Sequence, residues 1–397
     1  MHLLLLLTQD LESPSGLGRF LPLAQAWAAQ GHNVTIAALH SDFERLDAKV
    51  QHLGGVEVHY LSQMHVLKRD NRKIYFSPTQ LIALTLRATL RMTAFTLRHP
   101  APLVYVCKPH PMNSVAGLAG KLRGKRLFLD CDDDEASGNR FSGAWQRRLI
   151  RFFENFMPPR AALVTTNTHF TESRLQRLGL PPERLRYLPN GVDPARFPPI
   201  PPGELDDLRE SLHLCGKRVV VYVGTLSLAS HPVDLLLRAF ATLHATRPDT
   251  VLLLVGGGED FDILQILAES RSVRNAVVFA GRVPPNKAGH YYRLGAVSVD
   301  PVVDDDVARG RSPLKLFESW LCGVPFVSAD VGDRAALVGD AGILVQPGDA
   351  DALSTGLGTV LDDPGVASRL RAEGLKRVGA YTWAKLAQEI HFDEESL

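Results

Sequence analysis

The stretch Arg309–Ser328, RGRSPLKLFESWLCGVPFVS, reads as a basic loop, a short helix carrying one glutamate, a Cys-Gly-Val-Pro turn and a fresh apolar strand. Loop N–H groups and a helix N-terminus together make a site for an anion such as a diphosphate. Arg309, Arg311 and Lys315 add positive charge there, and Glu318, one turn into the helix, is a fixed acceptor suited to a pair of ribose or sugar hydroxyls. The same residues also fit a solvated basic loop ahead of an amphipathic helix. Taken alone, the segment does not separate the two readings.

Outward from it, apolar strands alternate with amphipathic helical patterns along the whole chain, which predicts parallel βαβ units. In the first half strands fall near 2–7, 33–38, 56–60, 103–107, 126–130, 161–166 and 185–188. Helices are expected near 16–30, 78–98, 112–123, 142–157 and 168–178. In the second half strands fall near 218–223, 250–255, 276–280, 296–299, 325–328 and 342–345. Helices there are expected near 232–246, 259–269, 286–293, 314–322, 333–338 and 350–361. Between the halves, Asn190–Leu208 holds five prolines in 19 residues. Proline ends helices and cannot donate to a ladder, so this is a linker. The expected domains are 1–192, a linker at 193–215, a second domain at 216–365, and a terminal segment 366–397 whose YTWAKLAQEIHF helix crosses back onto the first. Two doubly wound domains would face a central cleft, with ligands beyond the carboxyl ends of their strands.

At 397 residues and 45% apolar composition the chain has enough material for two cores. Lys plus Arg number 44 against 43 Asp plus Glu, so no global field favours nucleic acid or an anionic membrane. Four cysteines stand far apart without a Cys-x-x-Cys pair, which fits a reducing compartment and argues against structural zinc. The opening MHLLLLLTQD lacks a basic n-region and is too short to span a bilayer, so it reads as a buried first strand. A cytoplasmic protein is expected. WQRRLIRFFENF (145–156) and the 81–98 stretch are basic and amphipathic, and either dock peripherally on anionic lipid or bury their apolar faces in their own domain.

Several strand ends offer candidate ligands. Gly16 and Gly18 follow the first strand, where glycine permits close approach of a ligand or tight local packing. RLFLDCDDDEAS puts Asp130, Asp132, Asp133 and Asp134 at one strand end. Asp130-Cys131-Asp132 suggests a metal-binding Asp-x-Asp, against an acidic loop capping a helix. The favoured role is Asp132 touching the acceptor or sugar, without metal. Gly224-Thr225 lies where a phosphate-facing loop belongs, while Gly256, Gly257 and Gly258 are read as helix–strand packing. Gly281-Arg282-Val283 presents backbone to a flat base. Asp304, Asp305 and Asp306 read as a solvated run beside the basic loop or as a segment closing over the sugar. Acceptor recognition is expected in loops around 62–77 and 108–115, where Lys108 and His110 read as surface loop residues over acceptor contacts.

Together these segments resemble a GT-B fold glycosyltransferase of family 4, the retaining group, over nearly the whole chain. The resemblance rests on the glycine loop, AAQGHNVTIAAL (28–39), LPNGVDPARF (188–197), YVGTLS (222–227) with VDLLLRAF (233–240), LLLVGGGED, VVFAGRVP and SPLKLFESWLCGVPFV. It implies donor contacts from Gly16, Gly18, Thr225, Arg282 and Val283, and from the loop Arg309, Gly310, Arg311, Ser312, Pro313, Leu314 and Lys315, with Glu318 on the ribose. Three features, at four positions, depart from the family pattern. The first glutamate of its Glu-x7-Glu pair is Gly310 here, its basic pair in the first loop of the second domain is Thr225 and Ser230, and its sugar-binding histidine is Asp132.

The implied reaction moves a sugar from a nucleoside diphosphate (UDP or GDP type) to a hydroxyl of a sugar or lipid-linked acceptor in glycan, glycolipid or envelope polysaccharide synthesis. No cofactor or metal is expected. Retention by double displacement needs a carboxylate nucleophile. The family is instead thought to use same-face attack, the donor phosphate taking the acceptor's proton, and Asp132 and Glu318 are the carboxylates nearest the chemistry. A non-catalytic sugar-nucleotide binder and a sugar-nucleotide epimerase on the same scaffold remain open.

Overall fold

The computed structural model describes residues 1–69, 72–138 and 143–392. It divides into two compact units, Met1–Gly191 with the segment that begins at Trp383, and Val192–Thr382.

The first unit is built on an eight-stranded sheet. Its strands in chain order are β1 (His2–Leu7), β2 (Asn33–His40), β3 (Val50–Leu53), β4 (Val56–Gln63), then a separate hairpin of β5 (Val66–Arg69) and β6 (Arg72–Tyr75), then β7 (Leu103–Val106), β8 (Arg126–Cys131), β9 (Leu163–Thr166) and β10 (Leu185–Tyr187). The spatial order is β10-β9-β8-β7-β1-β2-β4-β3, parallel except for β3. Leu3 to Leu7 are all 0% exposed, as a strand covered on both faces requires. The chain winds outward from β1 through β2 and returns to β7, so the order reverses between β1 and β7. In an open α/β sheet that switch point opens the crevice where ligands sit.

The second unit has six parallel strands, β11 (Arg218–Val223), β12 (Thr250–Val255), β13 (Val277–Gly281), β14 (Val297–Val299), β15 (Phe326–Ala329) and β16 (Gly342–Val345), ordered β13-β12-β11-β14-β15-β16. Its switch point lies between β11 and β14.

The structure differs from the sequence reading in four places. Strand β3 pairs antiparallel with β4 through Gly54-Gly55, whose φ of +57° and +82° suit a tight hairpin turn. The hairpin β5–β6 fills a stretch expected to be an acceptor loop. Inside the Pro-rich linker a helix, Glu204–Ser211, starts on three acidic residues that complement its N-terminal dipole. Its Leu205, Leu208 and Leu212 pack on the core of the second unit, a spacing hidden by the surrounding prolines. Finally, helix Pro364–Val378 stays with the second unit rather than leaving it at 365. Gly374 rests so closely on the buried indole of Trp320 that an added Cβ would lie 2.4 Å from it.

The chain rejoins the first unit only at Trp383. There the indole N–H of Trp383 donates to the Gly18 carbonyl (3.1 Å), and that of Trp27 to the Ala387 carbonyl (3.2 Å).

Candidate functional site

In the first unit a π-helical turn, Gly16–Phe20, leaves the loop after β1. Gly16 has a local packing reason to be glycine, since a Cβ would come within 2.2 Å of the Asp10 carbonyl oxygen. Its N–H donates to Ser13 Oγ. The same turn carries Arg19, which the sequence did not single out and which is 1% exposed. Its guanidinium grips Asp130 bidentately (3.2 and 2.8 Å) and donates to the Leu188 carbonyl and Asn190 Oδ1. Tyr105 and Thr165 hydroxyls complete the carboxylate's bonds at 2.9 and 2.6 Å. Charge-assisted bidentate pairing of this kind is strong and directional.

The neighbouring acidic cluster is organised by Lys108, at the end of β7. Its ammonium, 1% exposed, lies 3.1 Å from Asp132 and 3.0 Å from Asp133, and hydrogen-bonds Glu135. His110 bridges Glu135 Oε2 (3.1 Å) and Thr8 Oγ1 (3.0 Å), the latter at the end of β1. Lys108 and His110 are therefore not surface loop residues. Both β7 and β1 end at the switch point, and the lysine turns inward because three carboxylates there require a cation.

Asp130 and Asp132 also do not form an Asp-x-Asp pair, because each takes a different cation. Asp134 goes to a third, Arg151, at 2.8 Å. Asp132, Asp133 and Glu135 stand close enough to share one ion, and the Lys108 ammonium occupies the space among them. Burial holds the Asp132 carboxyl well above the usual range despite Lys108. Burial acts the same way on Glu135, but Lys108 and His110 outweigh it and keep that carboxyl well below. Asp132 Oδ1, though beside the ammonium, makes no hydrogen bond.

In the second unit the switch point has the opposite charge pattern. Asp300, at the end of β14 and 3% exposed, faces Lys315 (3.1 Å) and Arg334 (3.2 Å). Burial would raise its pKa, but these two cations hold it well below the carboxylate range. Lys315 reaches this point from helix Leu314–Leu321 and lies 5.1 Å over the Tyr222 ring of β11. Gly224 makes room for it, since a Cβ there would sit 2.7 Å from Lys315 Cε. Arg311 donates to the Ser230 carbonyl (2.7 Å) and contacts His231 Nδ1 (3.2 Å). Burial and then Lys315 and Arg311 push the His231 pKa well below its usual value, so the imidazole stays neutral. Of the two replaced basic positions of this loop, Ser230 thus lies beside a cation supplied by the 311–315 loop, Arg311. The carbonyl of Thr225 accepts from the Tyr222 hydroxyl at 2.9 Å.

The predicted loop residues are only partly gathered. Ser312 and Pro313 are buried at the start of the helix, Leu314 is half-buried, and Gly310 has an ordinary φ of −80°. Arg309 is not with Arg311 and Lys315. It pairs with Asp304 (2.8 Å) and Asp306 (3.6 Å), and both it and Asp304 are more than two-fifths exposed. Asp305 caps the following helical turn through the Ala308 N–H (2.7 Å), so the acidic run is spent on local structure.

Arg282 is exposed past β13, with no ion-pair partner among the described residues, and Val283 beside it is half-buried. Two of the three glycines after β12, Gly256 and Gly258, do not serve helix–strand packing. Added Cβ atoms at Gly256 and Gly258 would strike the Gly224 and Leu226 carbonyl oxygens at 1.9 and 2.1 Å, so they let two βα loops touch. Glu318 Oε2 accepts from the Tyr292 hydroxyl (2.9 Å), and its Oε1 lies 3.7 Å from Arg196.

Residues 217–363 match the family model described as glycosyl transferases group 1, and residues 16–191 match a glycosyl transferase 4-like domain. The chain is 28% identical over 310 residues to a GDP-mannose-dependent alpha-(1-6)-phosphatidylinositol monomannoside mannosyltransferase of Mycolicibacterium smegmatis, covering 77% of this chain and 79% of that one. It is 31% identical over 241 residues to a D-inositol 3-phosphate glycosyltransferase of Acidothermus cellulolyticus, but spans about half of that protein, 51%. Among solved structures it matches sucrose-phosphate synthase from Thermosynechococcus elongatus with a TM-score of 0.75 at 21% identity, covering 98% and 97% of the two chains. It also matches Anabaena HepE in complex with UDP-glucose, with a TM-score of 0.72 at 20% identity over 97% of both. These likenesses show the GT-B fold. With its two matched domains lying in order along one chain, the protein belongs to the group 1, family 4 glycosyltransferases.

Proposed function

We propose that this glycosyltransferase moves a hexose from a UDP- or GDP-type donor to a hydroxyl of a sugar or lipid-linked acceptor, with retention and without a metal. The observation that carries the reading is the switch point of the second sheet. There one carboxylate, Asp300, faces Lys315 and Arg334, and Arg311, beside His231, adds its charge to the field at Asp300. That leaves a net positive, poorly solvated spot at the start of helix Leu314–Leu321, suited to a diphosphate. As the glycosidic bond breaks, negative charge grows on the leaving diphosphate. Groups already aimed at it lower the barrier without reorganising. Asp132 is ion-paired to Lys108 and Glu318 is held by Tyr292 and read as the ribose ligand, so neither is assigned as a nucleophile, which supports same-face attack over double displacement.

A transfer without metal is supported by Lys108, whose ammonium occupies the space among the carboxylates that would otherwise hold a divalent ion. The names of the relatives favour glycolipid or envelope acceptors. Among the described residues no helix is long and apolar enough to cross a membrane. Peripheral contact at the inner face of a membrane is supported by helix Ala144–Phe156, which exposes Trp145, Leu149 and Phe152 (54%, 40% and 52%) beside Arg147 and Arg148.

Incubation with labelled UDP- and GDP-hexoses and candidate acceptors, with and without EDTA, tests the reading, with proton NMR of the product's anomeric centre. An α-linked product from an α-donor, unaffected by EDTA, is expected. Transfer abolished by EDTA removes the metal-free mechanism, and inversion removes the retaining one. An isomerised donor formed without acceptor points to the epimerase instead.

A further inference from the structure

The motif LPNGVDPARF opens the Pro-rich linker, and nothing in the reaction above uses it. Its second half is built firmly into the second unit. Val192 pairs with Thr382 and donates to the Tyr381 carbonyl at 2.9 Å. Asp193 caps the 3-10 turn Pro194–Arg196 through the Ala195 N–H (2.9 Å). Phe197 is 4% exposed, and its carbonyl accepts from Arg293 Nη2 (3.1 Å). Gly289 lets the Phe197 ring lie flush, since a Cβ there would be 3.1 Å from it. The turn is therefore fixed to helix Ala288–Leu294. That helix carries Tyr292, which is fully buried and whose hydroxyl holds Glu318 Oε2.

Arg196 approaches the other oxygen of Glu318, Oε1, at 3.7 Å, and its own buried Nε has no hydrogen-bond partner. An ionised carboxylate has about four acceptor directions. Tyr292 takes one, and Arg196 attracts the second oxygen without hydrogen-bonding it, so lone pairs on both oxygens stay free. We infer that Arg196 and Tyr292 are positioning residues of the donor site, setting the carboxylate plane of Glu318 so that it accepts both hydroxyls of a ribose diol. This rests on the reading of Glu318 as the ribose ligand. It gives the linker motif a place in nucleotide recognition.

The test is titration calorimetry on the full chain, using whichever of UDP and GDP binds wild type tighter and the 2′,3′-dideoxy form of that nucleotide. Tyr292→Phe should weaken ribonucleotide binding about tenfold, the loss of one hydrogen bond to a charged group, and leave dideoxynucleotide binding unchanged. Arg196→Met should act in the same sense, about threefold, with Arg196→Lys restoring part of the loss by keeping the charge. Equal loss for both nucleotides in Tyr292→Phe and Arg196→Met would mean a merely structural role and overturn the inference. If Glu318→Ala discriminates the two nucleotides and Tyr292→Phe does not, the positioning role fails while the ribose reading stands. If Glu318→Ala does not discriminate, or wild type binds neither UDP nor GDP, the ribose reading fails and takes the inference with it.

Discussion

The two sheets solve the same problem with opposite charge. At the first switch point one buried cation, Lys108, is shared by Asp132, Asp133 and Glu135. At the second, one buried anion, Asp300, is shared by Lys315 and Arg334, with Arg311 nearby. The first arrangement is short of positive charge and the second has it in excess. An anion belongs at the second, and hydroxyl groups that donate to carboxylate oxygen belong at the first. The difference explains how the chain lacks the family's usual basic pair at Thr225 and Ser230 yet keeps a cationic strand end. The positive groups come instead from the 311–315 loop, the start of helix Leu314–Leu321, and Arg334.

The largest expected effect is on stability in the first unit. Arg19 and Asp130 are 1% and 0% exposed, and removing one partner strands the other. Asp130→Ala should cost about 3–5 kcal/mol in urea denaturation. A loss below about 1 kcal/mol would show that the pair is not structural.

Lys108→Met should be nearly as severe at pH 7, but for a reason that titrates. Without the ammonium, burial holds the Asp132 and Glu135 carboxyls above their unfolded pKa values. The folded variant then binds more protons, so its stability falls as pH rises and recovers on acidification. A deficit that does not shrink between pH 7 and pH 5 would contradict the shared-cation arrangement.

In wild type the opposite slope is expected. Burial lowers the pKa of His99 in the first unit to about 4 and that of His231 in the second well below its usual value. Depressed histidines bind fewer protons folded than unfolded. Stability is therefore full above the unfolded pKa of about 6.5 and is lost as pH falls below it. A flat melting temperature from pH 7 to pH 4.5 would count against both assignments.

The parallel strands and the order of helices were legible in the sequence because doubly covered strands are runs of Leu and Val, and helices between them show a clear period. Short elements left weaker signals. The Gly54-Gly55 turn between VQHL and VEVH was readable as a hairpin, whereas Glu204–Ser211 was masked by prolines. At the site, Glu318 and Lys315 were legible because a motif places them on one helix. Arg19, Lys108, Asp300 and Arg334 were not. Each is a single charged residue whose meaning comes from a partner far along the chain, 111 residues away for Arg19 and Asp130. Asp300 alone left a local trace, an aspartate ending an apolar strand. Arg309 misled for the opposite reason, since Asp304, only five residues earlier, takes up its charge.

Titration of UDP and GDP into wild type, Lys315→Met and Lys108→Met, each first checked for folding by circular dichroism, addresses the charge inversion itself. Lys315→Met should bind the nucleotide ten- to hundredfold more weakly, about 1.5–3 kcal/mol for a charge-assisted contact, while folded Lys108→Met binds it as wild type does. Unchanged affinity in Lys315→Met, or a comparable loss in Lys108→Met, would mean that the diphosphate is not held at the second switch point.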